Sequence, residues 1–304
     1  MTRVRESTKE YRHGPADDLR SLIVGNGFVG RALAAELRSK GMQVLVASRH
    51  RSESVLELEL GAHTRAGLAR LGAEESVDVI VLAHGPSDPA WCERHEEEAR
   101  SIHVSAARAA VSTGRRVVLV SSDAVFPGTE AYCDEDSDIG PTHAYGRIKL
   151  AAEQVVLARS TSCVVRISAI YGDRREGRRS SFVEECVAAL VQRRTFKAPI
   201  DQFFTPVALT DAVKILAAVI GYGVTGLVHL GGATRISRFG FACMVAEVMS
   251  LPESLVEAVP GAATRWASRP RNSCLRSTDF GKRFGWSYVS TPLKVGIKAA
   301  VVGR

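Results

Sequence analysis

The segment SLIVGNGFVGRALAAELRSKG, residues 21–41, decides the fold. Its opening, SLIVG (21–25), is a short apolar run of strand type. From Gly27 to Gly41 the spacing changes to that of a helix, with apolar Val29, Leu33 and Leu37 on one face and Gly41 as the stop. Between the two, Gly25, Gly27 and Gly30 stand in the spacing G-x-G-x-x-G. Alone that spacing is weak; after a strand and at the mouth of a helix each glycine has a physical purpose. The first permits the tight turn. The second lets a pyrophosphate approach the backbone, and the third lets helix and strand pack closely, with the helix N-terminus toward the anion. Gly25, Asn26, Gly27, Phe28, Val29 and Gly30 are therefore expected to hold a dinucleotide.

The same alternation continues along the chain. QVLVAS (43–48), VDVIVLAHG (77–85), RRVVLVSSDAVF (115–126), SCVVRISAIYG (162–172) and GLVHLGG (226–232) read as strands, nearly all apolar. Helical patterns lie between them, among them EEEARSIHVSAARAAVSTG (96–114), YGRIKLAAEQVVLARS (145–160) and DAVKILAAVIG (211–221). Continuous apolar strands joined through helices imply a parallel sheet covered on both faces. The expected class is α/β, a doubly wound Rossmann sheet with a smaller C-terminal lobe. Residues 1–19 are expected to be a flexible tail, 20–172 the dinucleotide domain, completed by about 208–232, and 173–207 with 233–304 the substrate lobe. In that lobe a helix is expected at 182–193, an irregular stretch FKAPIDQFFTPVALT, an amphipathic segment 237–250 and a loop-rich tail.

Composition bounds the function. The chain has 304 residues, 45% of them hydrophobic, enough for a sizeable core. The net charge of +7 is spread out, with no basic block of the kind that grips nucleic acid, and a phosphate-bearing small ligand accounts for it equally well. Six cysteines lie far apart without a CxxC pair, so neither a metal site nor a redox motif is expected. Reduced thiols and a polar N-terminus without an apolar core of signal type fit a cytoplasmic protein. The longest apolar run, ILAAVIGYGV (215–224), is too short to span a membrane.

The end of the second strand selects the cofactor. A 2′-hydroxyl calls for an acid there, but this chain reads Ser48, Arg49, His50, Arg51, with Glu53 the first carboxylate. Arginine offers a 2′-phosphate a forked, charge-assisted contact, so NADPH is expected over NADH, with Ser48 and Arg49 as its contacts. Ala83 and His84, at the end of the third long strand, complete the expected cofactor set.

Tyr145 and Lys149 are one helical turn apart and share a face. The strand before their helix ends in Ser121, Ser122 and Asp123, and in a parallel sheet that end opens into the ligand crevice. Hydride reduction of a ketone creates an alkoxide that needs a proton. Tyrosine, with a pKa of about 10, becomes a useful acid or base when an ammonium stabilises its anion. The expected roles are Tyr145 as general acid, Lys149 as its electrostatic support and Ser122 as oxyanion donor.

Together these residues resemble the extended short-chain dehydrogenase/reductases, and more closely the dTDP-4-dehydrorhamnose reductase family of sugar-nucleotide reductases. The likeness spans roughly residues 20–285 and rests on SSDAVFPG (121–128), PTHAYGRIKLAAE (141–153), VVRISAIYG (164–172), DQFFTPV (201–207) and RPRNSCL (269–275). It implies NADPH-dependent reduction of the C4 ketone of a nucleotide-linked 6-deoxysugar. The substrate contacts it implies are Ser122, Asp123, Ala169, Gln202 and Arg269. It admits a homodimer. The family's helix Asn, which supports a proton relay, is missing, because the only asparagines are Asn26 and Asn272; His103 lies on that helix. Where the family often has Ser-Trp beside the sugar, this chain has Ser168 and Ala169, which implies a wider pocket. The alternatives are a non-catalytic dinucleotide-binding regulatory subunit and an epimerase. The intact Ser122, Tyr145 and Lys149 speak against the first, and Arg49 against the second.

Overall fold

The computed structural model describes residues 19–172 and 182–301, apart from 51, 53, 61–63, 75, 265 and 287. The tail 1–18, Arg51, Glu53 and the arginine-rich segment 173–181 lie outside the described residues. Seven parallel strands form the central sheet: β1 (Arg20–Val24), β2 (Gln43–Ser48), β3 (Leu56–Glu57), β4 (Val79–Leu82), β5 (Arg116–Ser122), β6 (Cys163–Ile167) and β7 (Gly226–Leu230). Their spatial order is β7-β6-β5-β4-β1-β2-β3. The chain thus winds outward from β1 in one direction, returns, and winds outward from β4 in the other. The crevice beyond the C-terminal ends of β1 and β4 is the switch point where α/β sheets bind ligands.

Both faces of the sheet are covered, which is why its strands are mostly apolar on both sides. In β1, Ile23 packs with Leu33 and Leu37 of α1 (Phe28–Ser39) and with Leu216 and Ile220 of α7 (Leu209–Gly221). Its neighbours Leu22 and Val24 face the other way, toward α2 (Thr64–Glu74), α4 (Glu96–Ser112) and α5 (Ala144–Leu157). A short helix α3 (Pro89–Arg94), capped by Asp88, precedes α4.

At the opposite end of the strands, Arg116 closes the sheet against α7. Its guanidinium donates to the carbonyls of Ile220 (2.9 Å) and Val219 (2.8 Å) in the last turn of α7 and of Val224 (2.6 Å) just beyond it. Arg283 does the same for Leu227 O at 2.6 Å.

A second core lies in the lobe. It joins α6 (Phe182–Val191), α8 (Arg238–Val248) and α10 (Leu293–Val301), with α9 (Phe280–Phe284) packed instead on the main sheet's core. The stretch expected to be irregular contains short strands: Phe196–Pro199 pairs with Val256–Val259, and Phe203–Phe204 lies between Ile236–Ser237 and Asn272–Ser273. The tail expected to be loop-rich carries α9 and α10. Pairings this short join segments far apart in the chain, so no local periodicity announces them. The run 162–172, expected to be one strand, is two: after β6 the chain leaves the sheet at Ser168 and Ala169, and Ile170–Tyr171 pairs with Val207–Ala208. Helix α6 ends two residues early, near Arg193 in the left-handed region at φ 51°. Among the described residues no helix is long and apolar enough to cross a membrane.

Candidate active site

Three glycines shape the floor of the crevice. A Cβ on Gly25, whose φ is +118°, would stand 2.4 Å from Ala83 O, and one on Gly30 would stand 1.8 Å from Gly25 O. Neither position accepts a side chain. At Gly27 a Cβ would meet nothing within 4 Å. The turn is therefore tight at its base and open above Gly27, at the first turn of α1, which suits the approach of a pyrophosphate. Phe28 and Val29 line the same pocket, which measures about 420 Å³ and is also lined by Ala83 and His84. Gly25, Asn26 and Gly30 do not line it. Ser48 and Arg49 lie farther off at the end of β2: the Ser48 hydroxyl donates to His50 O at 2.9 Å, and Arg49 is exposed.

Across the pocket stand Ser122, Asp123, Tyr145 and Lys149. Two features bring them together. Ser122 ends β5 and caps the one-turn helix 123–125, its Oγ accepting from Ala124 N at 3.2 Å. His143 caps α5, its Nδ1 accepting from Gly146 N at 3.1 Å. Gly146 lets α5 lie directly on the Ser122 turn, because a Cβ there would stand 2.1 Å from Ala124 O. Tyr145 is thereby held at the end of β5. The glycine beside the tyrosine was visible in the sequence, but its purpose appears only with this contact.

Lys149 is 3% exposed, and its ammonium donates to Val120 O at 2.7 Å. Burial lowers it to about 8, opposed by the charge of Glu153 one turn further along α5. The expected lowering of Tyr145 by Lys149 is reversed. Burial, then the charge of Asp123, pushes the phenol well above its ordinary value, with a hydrogen bond to Ser122 acting the other way. The reason is geometric: Lys149 is tied to the β5 backbone, and the desolvation of Tyr145 dominates.

Beneath Lys149 runs a buried polar chain. Glu153 (1% exposed) forms an ion pair with Arg166 of β6 (3% exposed) at 2.8 Å and accepts from Ser121 Oγ. Arg166 lies between Ser121 and His229 in the sheet register, and its Nη1 is 3.4 Å from His229 Nε2.

On the helix that lacks asparagine, His103 of α4 faces Tyr145. It is buried, its Nε2 donates to Pro86 O at 3.0 Å, and its ring centroid is 6.2 Å from that of Tyr145. Gly85 rests on this ring; a Cβ there would stand 2.4 Å from it. Burial holds His103 well below its ordinary pKa, so it is a neutral clamp on the 83–86 loop.

The lobe supplies the outer wall. Ala169 and Arg269 line the pocket, as expected, together with Arg238, Trp266, Phe182 and Phe204, which sequence reasoning missed. The Arg238 guanidinium lies 5.1 Å from the rings of Phe182 and Phe204 and 5.2 Å from Trp266. Arg269 stacks on Trp266 at 5.5 Å. Gln202 is not on the pocket wall. Its Nε2 donates to Trp266 O at 2.8 Å, while Asp201 accepts from Gly261 N at 2.7 Å. The two brace, from behind, the segment that carries Trp266 and Arg269. Among the described residues no group of three or more metal-ligating side chains is found.

Known proteins share this frame. The chain is 27% identical over 273 residues to the probable low-salt glycan biosynthesis reductase Agl14 of Haloferax volcanii, covering 86% of this chain and 91% of that one. It is also 27% identical over 300 residues to the methionine adenosyltransferase 2 subunit beta of Xenopus laevis, covering 92% and 86%. Among solved structures, a dTDP-4-dehydrorhamnose reductase of Bacillus anthracis in complex with NADP superposes with a TM-score of 0.80 at 21% identity, covering 94% of this chain and 99% of that one. A hypothetical dTDP-4-dehydrorhamnose reductase of Sulfolobus tokodaii gives 0.79 at 26% identity, covering 91% and 99%. The family model described as RmlD substrate binding domain matches residues 20–299. The chain therefore belongs to the RmlD substrate-binding-domain family, the dTDP-4-dehydrorhamnose reductase family its sequence resembles.

Proposed function

We propose that the protein is an NADPH-dependent reductase of the C4 ketone of a nucleotide-linked 6-deoxysugar, with dTDP as the first nucleotide to test. The observation that carries this reading is the facing of the two walls: the open glycine turn at Gly27 on one side, Ser122, Tyr145 and Lys149 on the other, in one pocket. The cradle suits a dinucleotide, because Gly25 and Gly30 admit no side chain and Gly27 leaves room for a pyrophosphate. When bound, NADPH supplies the hydride. The chain's own residues do the rest. Tyr145, kept protonated by its burial, is in the form a reduction needs and gives its proton to the substrate oxygen. Lys149 holds a positive charge against the phenolate that results. Arg238 and Arg269 place positive charge on the outer wall, where a diphosphate would lie. Free, mostly buried cysteines among the described residues fit a reducing cytoplasm.

A second reading, a dinucleotide-binding regulatory subunit, is favoured by the similarity to the methionine adenosyltransferase 2 subunit beta and by the missing helix Asn. One experiment separates the two. NADPH oxidation is followed with a panel of nucleotide 4-keto-6-deoxysugars, and Tyr145→Phe is expected to lower turnover by about 10²-fold or more. Unchanged turnover in Tyr145→Phe would sink the mechanism, and NADPH binding without turnover on any sugar would favour the subunit.

A further inference from the structure

We infer that Asp123 decides which way the Ser122 hydroxyl points its hydrogen, and that an anionic substrate throws this switch by engaging Arg238 and Arg269. The inference rests on the reductase reading of the pocket and assigns Asp123 as a positioning residue acting through Ser122.

A serine hydroxyl has one hydrogen. In this structure Ser122 Oγ gives it to Asp123 Oδ1 at 2.8 Å and accepts from Ala124 N at 3.2 Å. With Asp123 ionised, Ser122 has no hydrogen left to add to that of Tyr145 at a ketone oxygen in the pocket, although its role in oxyanion stabilisation requires one. The other carboxylate oxygen, Oδ2, lies 3.3 Å from Ser168 Oγ, whose hydrogen has a nearer acceptor in Ser273 O at 3.0 Å. That side of Asp123 is weakly held. If Asp123 takes a proton from solvent, its new O–H donates to Ser122 Oγ. The Ser122 hydrogen then rotates into the pocket without its bond breaking, so the only covalent change is the O–H formed on the carboxylate.

The surroundings bias this equilibrium. Burial raises Asp123 above the ordinary aspartate range, while Ser122, Arg269, Arg238 and Ser168 lower it. Tyr145 of α5 faces it, and so do the thiols of Cys133 and Cys274, all three raised in part by its charge. Arg269 and Arg238 are thus positive charges, among the described residues, that hold the carboxylate ionised, and both line the wall that a diphosphate would occupy. A bound anion withdraws that support, and Asp123 moves toward its protonated form as the substrate docks.

Two measurements test this. The first needs no activity: protein carrying ¹³C-carboxyl aspartate is titrated by NMR, and the resonance absent from Asp123→Asn is assigned to Asp123. It should titrate above the ordinary aspartate range, and higher still in Ser122→Ala, where the carboxylate loses its donor. An unchanged midpoint in Ser122→Ala would overturn the hydrogen-bond assignment. Adding dTDP should raise the midpoint, and a fall or no change on saturation overturns the substrate link. The second is kinetic. In the reducing direction, wild-type kcat should climb toward low pH by up to about tenfold per pH unit, as one proton allows, with KM little changed. Asp123→Asn, whose amide donates to Ser122 permanently, should be flat near the wild-type low-pH plateau, and Asp123→Glu should restore the slope. A slope that survives in Asp123→Asn overturns the proposal. Absence of turnover in the wild type would instead remove the reductase reading, and the NMR titration would still decide the Ser122–Asp123 link.

Discussion

Gly146 leaves α5 so close to the Ser122 turn that the site is set by backbone contact. A methyl group there would stand 2.1 Å from Ala124 O and 2.8 Å from a Pro141 carbon. Backbone cannot swing aside as a side chain does, so Gly146→Ala should push Tyr145 away from Ser122. A displacement of about 1 Å costs about 10²-fold in rate, and the loss should fall on kcat with NADPH affinity nearly kept. Comparing kcat with the cofactor Kd in the two proteins checks this. A second residue-scale prediction concerns Arg49, which is exposed at the end of β2. Arg49→Glu should weaken NADPH binding far more than NADH binding, because only NADPH carries the 2′-phosphate that a carboxylate repels. Equal losses for the two nucleotides, measured by titration calorimetry, would remove Arg49 from the cofactor site.

Helix α5 joins two tasks along its length. Its first turn presents Tyr145; its third presents Glu153 to Arg166 of β6 inside the sheet's cover. Breaking a buried pair by removing one charge leaves the other uncompensated and costs about 3 kcal/mol or more. Glu153→Gln should show this in urea unfolding. The same variant removes the negative charge that props up Lys149, so the loss of the ammonium, near 8 in the wild type, should move to lower pH. The alkaline limb of the rate profile moves with it.

This element also marks how far the sequence could be read. Tyr145, Lys149, Ser122 and the three glycines are local signals: each sits at a strand end or on one helical face, where the period of the chain tells which way it points. Arg238, the bracing role of Gln202 and the Ser168–Asp123 contact were not legible. They depend on Phe203–Phe204 lying between Ile236–Ser237 and Asn272–Ser273, pairings of two residues each between distant segments. Continuous apolar character likewise concealed the break after β6, where Ser168 is buried for its hydrogen bonds and the chain crosses into the lobe.

The molecule as a whole buries neutral imidazoles. His103 is 2% exposed and His229 0%, and burial holds both below the ordinary histidine value. Their folded pKa values are lower than their unfolded ones. Between the two values the unfolded chain binds more protons, so stability rises with pH there and falls as pH drops below about 6.5. The midpoint temperature should therefore decline from pH 7 to pH 5, and the decline should be shallower in His229→Gln. A midpoint temperature that is flat over this range would show that these rings titrate normally.

The contacts of Arg116 give the protein two unlike ends. At the N-terminal edge of the sheet one guanidinium fastens three carbonyls at and just beyond the end of α7, and Arg283 fastens a fourth. At the other edge the strands stop at an open pocket whose outer wall belongs to the lobe. Opening is expected to be graded along the strands. Amide protons near Val117 and Val228 should exchange only when the whole sheet comes apart, while those near Ser122 and Ala169 report breathing of the wall. The chemistry stands at the compliant end, and the rigid end serves as its anvil.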